Sequence, residues 1–229
     1  MGWGEVPFSL TDDQRRLMER HLELVVERNR SVNLTRITDP QEALFLHIMD
    51  SLLLKDALDA CPKGPFVDIG TGAGYPGIPL AIASGRKACL VDSVGKKVAA
   101  VRDFASELGL DGQVRAEACR IEDLGRTERG RYSAAVARAV APAGVIIEYA
   151  TPLLRKGGRV IIAKAHPSDE EVQTALKVAR ICGLESVSRE TFELPHELGH
   201  REVMVYERVG NPRVKLPREV GRARHQPLG

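Results

Sequence analysis

The chain has 229 residues, of which 43% are hydrophobic and 28% charged, and its formal net charge is +2. This composition is typical of an ordinary folded protein, and the near-neutral charge does not by itself indicate a polyanionic partner. The N-terminus lacks a basic region followed by an apolar stretch, and no apolar run approaches the length of a bilayer span. We therefore expect a cytoplasmic protein without membrane association.

The cysteines are far apart in the sequence and include no C-x-x-C pair. This spacing fits neither a zinc site nor a disulfide framework. We predict small buried side chains in a reducing compartment, and no metal site. The residues concerned are Cys61, Cys89, Cys119 and Cys182.

Two helices are predicted at the N-terminus. Thr11 and Gln14 have the spacing of a capping box, and apolar residues then recur at helical period as far as Val25. Asp39 followed by Pro40 is the start signal of a second helix, which the proline-containing stretch 61–65 ends. We predict that residues 1–62 form a helical cap on the rest of the chain.

From residue 65 onward, short apolar runs alternate with helical patterns. The runs "PFVDIG", "KACLVD", "GQVRAE", "YSAAVA" and "GRVIIAKA" predict strands, and most are separated by predicted helices. This alternation indicates βαβ units and a mainly parallel sheet with helices on both faces. Runs at 184–194 and 202–208 predict a closing hairpin with one antiparallel edge strand. We expect an α/β domain over 63–209 with seven strands, and a basic flexible tail over 210–229.

A glycine-rich loop follows the first predicted strand in "FVDIGTGAGYPGIPL". Gly70, Gly72 and Gly74 form G-x-G-x-G, and the same stretch also satisfies G-x-G-x-x-G, the pattern of dinucleotide-binding turns. Glycines allow a tight turn and a close approach of a ligand. Asp68 lies just before the loop, where a carboxylate repels a pyrophosphate but favours the ammonium and sulfonium groups of S-adenosylmethionine.

Two further acids follow the next strands. Asp92 ends the second strand, 22 residues after Gly70, where its oxygens can accept hydrogen bonds from the hydroxyls of a ribose. This position suits NAD and S-adenosylmethionine equally. Glu122 follows the third strand, in the region that borders the adenine, although a carboxylate there also suits the start of a helix. Together with Asp68, these residues favour a class I methyltransferase over a dehydrogenase.

The segment "VARAVAP" follows the fourth strand, where the methyl acceptor is expected. It contains neither an Asn/Asp-Pro-Pro-aromatic cluster, as amine methylation uses, nor a cysteine that could add to a pyrimidine. With these two acceptor types disfavoured, we expect a methyl acceptor that is already nucleophilic, such as guanine N7. Such an acceptor requires alignment with the donor rather than a general base. Arg138 could bind the methionine carboxylate or an RNA phosphate, or could be a structural arginine.

Six blocks in order then resemble bacterial 16S rRNA guanine-N7 methyltransferases, the family formerly called glucose-inhibited division protein B. The resemblance spans nearly the whole chain, and the blocks are "NLTRI", "HIMDSL", "VDIGTGAGYPGIPL", "LVDSVGKK", "ARA" and "PRVKLPREVGRARHQPL". It implies a Rossmann-like class I methyltransferase fold with an N-terminal helical extension. It also implies that S-adenosylmethionine is used to methylate N7 of a guanine in the 530 loop of 16S rRNA, in the small ribosomal subunit.

The resemblance assigns roles to particular residues. It implies cofactor contacts at Gly70, Tyr75, Ile121, Glu122 and Arg138, and at Asp92 and Ser93 of the "DS" pair. Lys164 and Arg201 match basic positions that could bind rRNA phosphates, and Arg138 and Lys164 are candidates for positioning the acceptor. No general base is expected.

The chain departs from the family pattern at two places beside the acceptor. Ala137 stands where the family usually has serine, and Ala165 where it has glycine. Two other readings stay open, namely an NAD(P)-binding oxidoreductase and a ribosome-binding protein that lacks catalysis. We expect a monomer, because no pattern indicates a dimer interface.

Overall fold

The computed structural model describes residues 2–37 and 39–229. A 3-10 turn at Trp3–Glu5 precedes α1 (Asp12–Asn29), which begins with the predicted capping box. The Thr11 hydroxyl accepts from the Gln14 N–H at 3.2 Å, and the Gln14 side chain accepts from the Thr11 N–H at 3.0 Å. The first helix therefore starts where the sequence predicts.

The second predicted helix is interrupted by a π-helical segment. It comprises α2 (Pro40–Ala43), π-helical Leu44–Met49 and α3 (Asp50–Leu52), and α4 (Lys55–Asp59) follows. Asp39 caps the N-terminus of α2 as predicted, because its carboxylate accepts hydrogen bonds from two backbone N–H groups, each at 2.9 Å. π-helical turns are uncommon and often occur at functional sites.

A seven-stranded sheet forms the centre of the protein, as predicted. Its strands are β1 (Phe66–Ile69), β2 (Ala88–Asp92), β3 (Val114–Ala118), β4 (Tyr132–Arg138), β5 (Leu154–Lys164), β6 (Leu184–Leu194) and β7 (Gly199–Arg208). The connecting helices are α5 (Gly77–Ser84), α6 (Gly95–Glu107), α7 (Ile121–Thr127), α8 (Ala143–Ala150) and α9 (Asp169–Cys182), and α10 (Arg222–His225) lies near the C-terminus.

The strand order is β3-β2-β1-β4-β5-β7-β6, with β7 antiparallel to both of its neighbours. The predicted closing hairpin of β6 and β7 is confirmed, but its antiparallel strand is not at the edge as predicted, because β7 lies inside the sheet and β6 forms the edge. Burial explains this order, since the run 202–206 in β7 is buried whereas most of β6 is exposed. The order also differs from the all-parallel 3-2-1-4-5-6 sheet typical of dinucleotide-binding domains.

The two faces of the sheet pack against separate hydrophobic clusters. Successive residues of β1 alternate between them, so that Phe66 belongs to the cluster with α1, α5 and α6, and Val67 to the cluster with α8 and α9. Leu216 and Ala223 are buried in the second cluster. The C-terminal stretch that the sequence suggests is flexible thus packs on the domain in this structure.

Three of the cysteines, Cys61, Cys89 and Cys182, are buried free thiols, and Cys119 is half-buried. Across residues 2–37 and 39–229, none of the helices has both the length and the hydropathy that a bilayer span requires.

Candidate active site

A cavity of about 430 Å³ opens at the carboxyl ends of β1 to β4. In open sheets with parallel strands this edge is where ligands bind, because the loops that leave the central strands diverge there. Eight of the ten predicted cofactor contacts line the cavity: Gly70, Gly72, Tyr75, Asp92, Ser93, Ile121, Glu122 and Arg138. We call it the donor cavity.

The glycine loop forms one wall of the donor cavity. The N–H groups of Gly70 and Thr71 donate to the Val91 carbonyl at 2.8 and 3.0 Å, which folds the loop back over β2. Gly70 has a φ of +74°, and a Cβ there would lie 2.6 Å from Cγ2 of Val140. Gly72 has a φ of +58°, and a Cβ there would meet no atom within 4 Å. A side chain at Gly72 would therefore be strained and would enter free space beside the loop.

Asp68 and Gly74, the other two predicted contacts, lie behind the loop and do not line the cavity. Oδ2 of Asp68 accepts from the Gly77 N–H at 2.9 Å, at the start of α5, and Oδ1 has no hydrogen-bond partner in the described part of the chain. Burial raises the pKa of Asp68 from 3.8 to about 7, against the lowering effect of its hydrogen bonds. In this position Asp68 supports the loop, and direct contact with a ligand remains a prediction.

Asp92 connects the loop to the end of β2. Oδ2 accepts from the Gly72 N–H at 3.1 Å, and Oδ1 accepts from the Val94 N–H at 2.9 Å. These bonds hold the carboxylate at the cavity wall and leave a further lone pair on each oxygen. Asp92 can therefore accept hydrogen bonds from two hydroxyls of a ligand.

Glu122 and Tyr149 border the far end of the donor cavity. Oε1 of Glu122 accepts from the Gly221 N–H at 2.7 Å, whereas Oε2 has no hydrogen-bond partner within the described chain and lies 3.9 Å from Nε of Arg120. The buried Tyr149 hydroxyl also has no partner in the part of the chain that the structure describes. Buried polar groups are normally satisfied, so two such groups on one wall indicate a polar ligand.

An aromatic stack from the N-terminal helices supports the other end of the cavity. Tyr75 lies between His47, with ring centroids 4.5 Å apart and planes 10° apart, and His21, with centroids 4.6 Å apart. Burial lowers the pKa of His47 to about 3 and that of His21 to about 4, so both rings are neutral near pH 7. His21 Nε2 donates to the Ala73 carbonyl at 3.0 Å, which joins α1 to the glycine loop.

A second cavity of about 500 Å³ adjoins the first and shares His47, Arg138 and Ala139 with it. Arg138 lies between the two, and its Nη1 donates to Oδ2 of Asp50 at 3.0 Å. Oδ1 of Asp50 accepts from Nε of Arg201, also at 3.0 Å. We call this second space the acceptor cavity.

Both predicted RNA-binding residues line the acceptor cavity. Arg201 pairs with Asp50, and Lys164 pairs with Oε1 of Glu171 at 2.8 Å while donating to the Ala141 carbonyl at 3.2 Å. With Arg138, three cations and two carboxylates are thus brought together in one space, from separate parts of the sequence.

Sequence reasoning missed several residues of these cavities. His47 and Asp50 were visible as a pair three residues apart on one helix face, a spacing that by itself indicates only helix packing. Tyr149, which lines the donor cavity, and His21 carried no recognisable signal, and Arg224 belongs to the last block of the family resemblance without a role at the cavity being assigned to it. Their positions depend on contacts between distant parts of the chain.

Comparison with known proteins relates this chain to one family. The family model for rRNA small subunit methyltransferase G (GidB) matches residues 14–201. A ribosomal RNA small subunit methyltransferase G of Synechococcus sp. (strain JA-3-3Ab) is 39% identical, covering 96% of this chain and 87% of the relative. The corresponding protein of Alkaliphilus metalliredigens is 33% identical, covering 99% and 96%.

Solved methyltransferases share the fold. A geranyl diphosphate methyltransferase in complex with GPP and sinefungin has a TM-score of 0.59 at 15% identity, covering 87% of this chain and 100% of that one. A 1,6-didemethyltoxoflavin-N1-methyltransferase of Burkholderia thailandensis with bound S-adenosylhomocysteine has a TM-score of 0.57 at 17% identity, covering 89% and 92%. At such identities the similarity establishes the class I methyltransferase fold.

Proposed function

Because the chain belongs to the rRNA small subunit methyltransferase G family, we propose that it methylates N7 of a guanine in the 530 loop of 16S rRNA, within the small ribosomal subunit. Family and fold together make it an S-adenosylmethionine-dependent rRNA methyltransferase. The observation that carries the finer proposal is the pair of adjoining cavities, which meet at His47, Arg138 and Ala139. Such a meeting point allows a donor and an acceptor base to approach each other in line.

The residues of the donor cavity fit S-adenosylmethionine. Asp92 has free lone pairs for the ribose hydroxyls. At the end that would hold the adenine, Glu122 Oε2 and the Tyr149 hydroxyl accept or donate no hydrogen bond among the described residues. When bound, the cofactor supplies a methyl group on a cationic sulfur. The glycine loop lets the backbone approach the ligand without an intervening Cβ.

The acceptor cavity suits a guanine base. Guanine offers O6 and N7 as acceptors and its amino group as a donor, and the cavity offers both cations and carboxylates. The N7 lone pair lies in the ring plane and carries no proton, so alignment is sufficient and no general base is needed. Neutral His47 also suits a product that carries a positive charge.

Asp50, which pairs with both Arg138 and Arg201, compensates part of their charge and so reduces the repulsion that a cationic product would meet. Lys164 and Arg201 remain proposed contacts to rRNA, and phosphate groups would share them with Glu171 and Asp50. A target within folded RNA has to be turned out of its stack to enter the cavity. The rRNA substrate is also the reason to expect a cytoplasmic enzyme.

The test uses small ribosomal subunits from a strain that lacks this protein. We expect purified protein and S-adenosylmethionine labelled in its methyl group to label 16S rRNA, and N7-specific chain cleavage to map the label to one guanine of the 530 loop. Asp92→Ala serves as the control, and at a donor concentration near the dissociation constant of the unaltered protein it should lose most of the labelling. Label at another base atom or outside the loop would contradict the proposal, and tight subunit binding without label would favour a non-catalytic protein.

A further inference from the structure

The C-terminal segment, residues 214–228, forms part of the wall of the donor cavity. Arg224 lines the cavity beside Tyr149 and Glu122. The Gly221 N–H donates to Oε1 of Glu122 at 2.7 Å, across 99 positions of sequence. The segment therefore meets the cavity with both a backbone group and a side chain.

The C-terminal segment is held in place by buried contacts. Arg218 pairs with Glu148 through two hydrogen bonds of 2.7 and 2.6 Å, and the two side chains are only 14% and 4% exposed. Arg129 donates to the Leu216 carbonyl at 2.6 Å, and Leu216 and Ala223 are buried in the core cluster under α8. A planar two-bond pair in a buried position favours one docked geometry.

Docking of the segment orients Glu122. Because one carboxylate oxygen of Glu122 is bound to Gly221, the other is directed elsewhere; within residues 2–37 and 39–229 it has no hydrogen-bond partner, and Nε of Arg120 lies 3.9 Å from it. Arg224 Nη2 donates to the Val140 carbonyl at 3.1 Å, and a methyl group of Val140 closes against Gly70 of the glycine loop. The segment therefore contacts both Glu122 and the Val140 carbonyl, two groups that come from different loops of the cavity wall.

We propose that the C-terminal segment completes the donor site at its adenine end. Gly221 holds Glu122 so that its free oxygen accepts from the exocyclic amino group of adenine, and the Arg224 guanidinium covers the adenine ring by stacking. This inference rests on the proposed function, because it assumes that the cavity takes S-adenosylmethionine. It assigns these residues to donor binding rather than to RNA.

Calorimetric binding of S-adenosylhomocysteine, without RNA, tests the assignment. Arg224→Ala and a chain that lacks residues 220–229 are compared with Arg222→Ala, which removes an equally exposed arginine two positions away. Loss of a hydrogen bond to a charged group weakens binding by about tenfold or more. We therefore expect at least that loss for the truncated chain, a loss of severalfold for Arg224→Ala, and no change for Arg222→Ala. Circular dichroism and the unfolding midpoint without ligand verify that each variant is folded.

Binding of a second ligand, methylthioadenosine, shows which part of the donor Arg224 contacts. Methylthioadenosine lacks the amino-acid part of the donor, so an adenine-side role predicts that Arg224→Ala weakens both ligands by the same factor. Unchanged affinity of the folded variants for S-adenosylhomocysteine would overturn the inference, even if rRNA methylation were lost. Weakening confined to S-adenosylhomocysteine would overturn the adenine assignment. Absence of binding by the unaltered protein would instead contradict the proposed function.

Discussion

The Asp68→Asn variant tests the position of Asp68 behind the glycine loop. Asp68 is completely buried, and one of its oxygens accepts from the Gly77 N–H at 2.9 Å, an interaction that the asparagine carbonyl can retain. The other oxygen has no hydrogen-bond partner among residues 2–37 and 39–229. Burial raises the pKa of Asp68 from 3.8 to about 7.

The shift makes stability depend on pH in a defined direction. Between pH 4 and pH 7 the unfolded chain has lost a proton that the folded chain keeps, so the free energy of unfolding falls as the pH rises. The pKa of Asp68 differs by about 3 units between the unfolded and the folded chain, from 3.8 to about 7. At 1.36 kcal/mol per unit, its ionisation lowers the free energy of unfolding by about 4 kcal/mol at high pH. About 3 kcal/mol of this decrease occurs between pH 4.5 and pH 8.

Urea unfolding of both chains at several pH values between 4.5 and 8 measures the effect. His21 and His47, whose pKa values are lowered, change stability in the opposite direction, but they do so in both chains and cancel in the difference. We expect the difference in the free energy of unfolding to move by about 3 kcal/mol in favour of Asp68→Asn over this range. A difference that stays constant with pH would refute the reasoning, because Asp68 would then ionise normally in the folded protein.

Three further changes give defined outcomes. Gly72→Val should abolish S-adenosylhomocysteine binding in calorimetry, because the residue has a φ of +58° and its side chain would enter the space beside the loop; retained affinity would contradict this. Asp92→Ala removes the acceptor for two backbone N–H groups and should weaken the same ligand by about tenfold to a hundredfold, while an affinity within twofold of the parent would exclude a ribose contact. Arg218→Met leaves Glu148 buried and unpaired and should lower the free energy of unfolding by about 3–5 kcal/mol in urea, part of which Arg218→Met combined with Glu148→Gln should restore.

The strands, the glycine loop and the acids at the strand ends were predictable from the sequence because their signals are local. Asp92 is the last residue of β2 and Glu122 lies in the first turn of α7, and parallel strands bring such ends to one edge. Eight of the ten predicted donor contacts consequently line one cavity. The resemblance of six ordered blocks to one family then indicated the chemistry.

The placement of β7 inside the sheet, the packing of the C-terminal segment and the position of Asp68 behind the loop depend on the folded chain. The site also depends on pairs such as Asp50 with Arg138 and Gly221 with Glu122, which are separated by 88 and 99 positions. No periodicity or local spacing encodes such a pair, because its energy arises only when several buried surfaces are packed at once. A sequence pattern therefore places residues on a strand or helix, whereas packing of the whole chain determines which of them meet across a cavity.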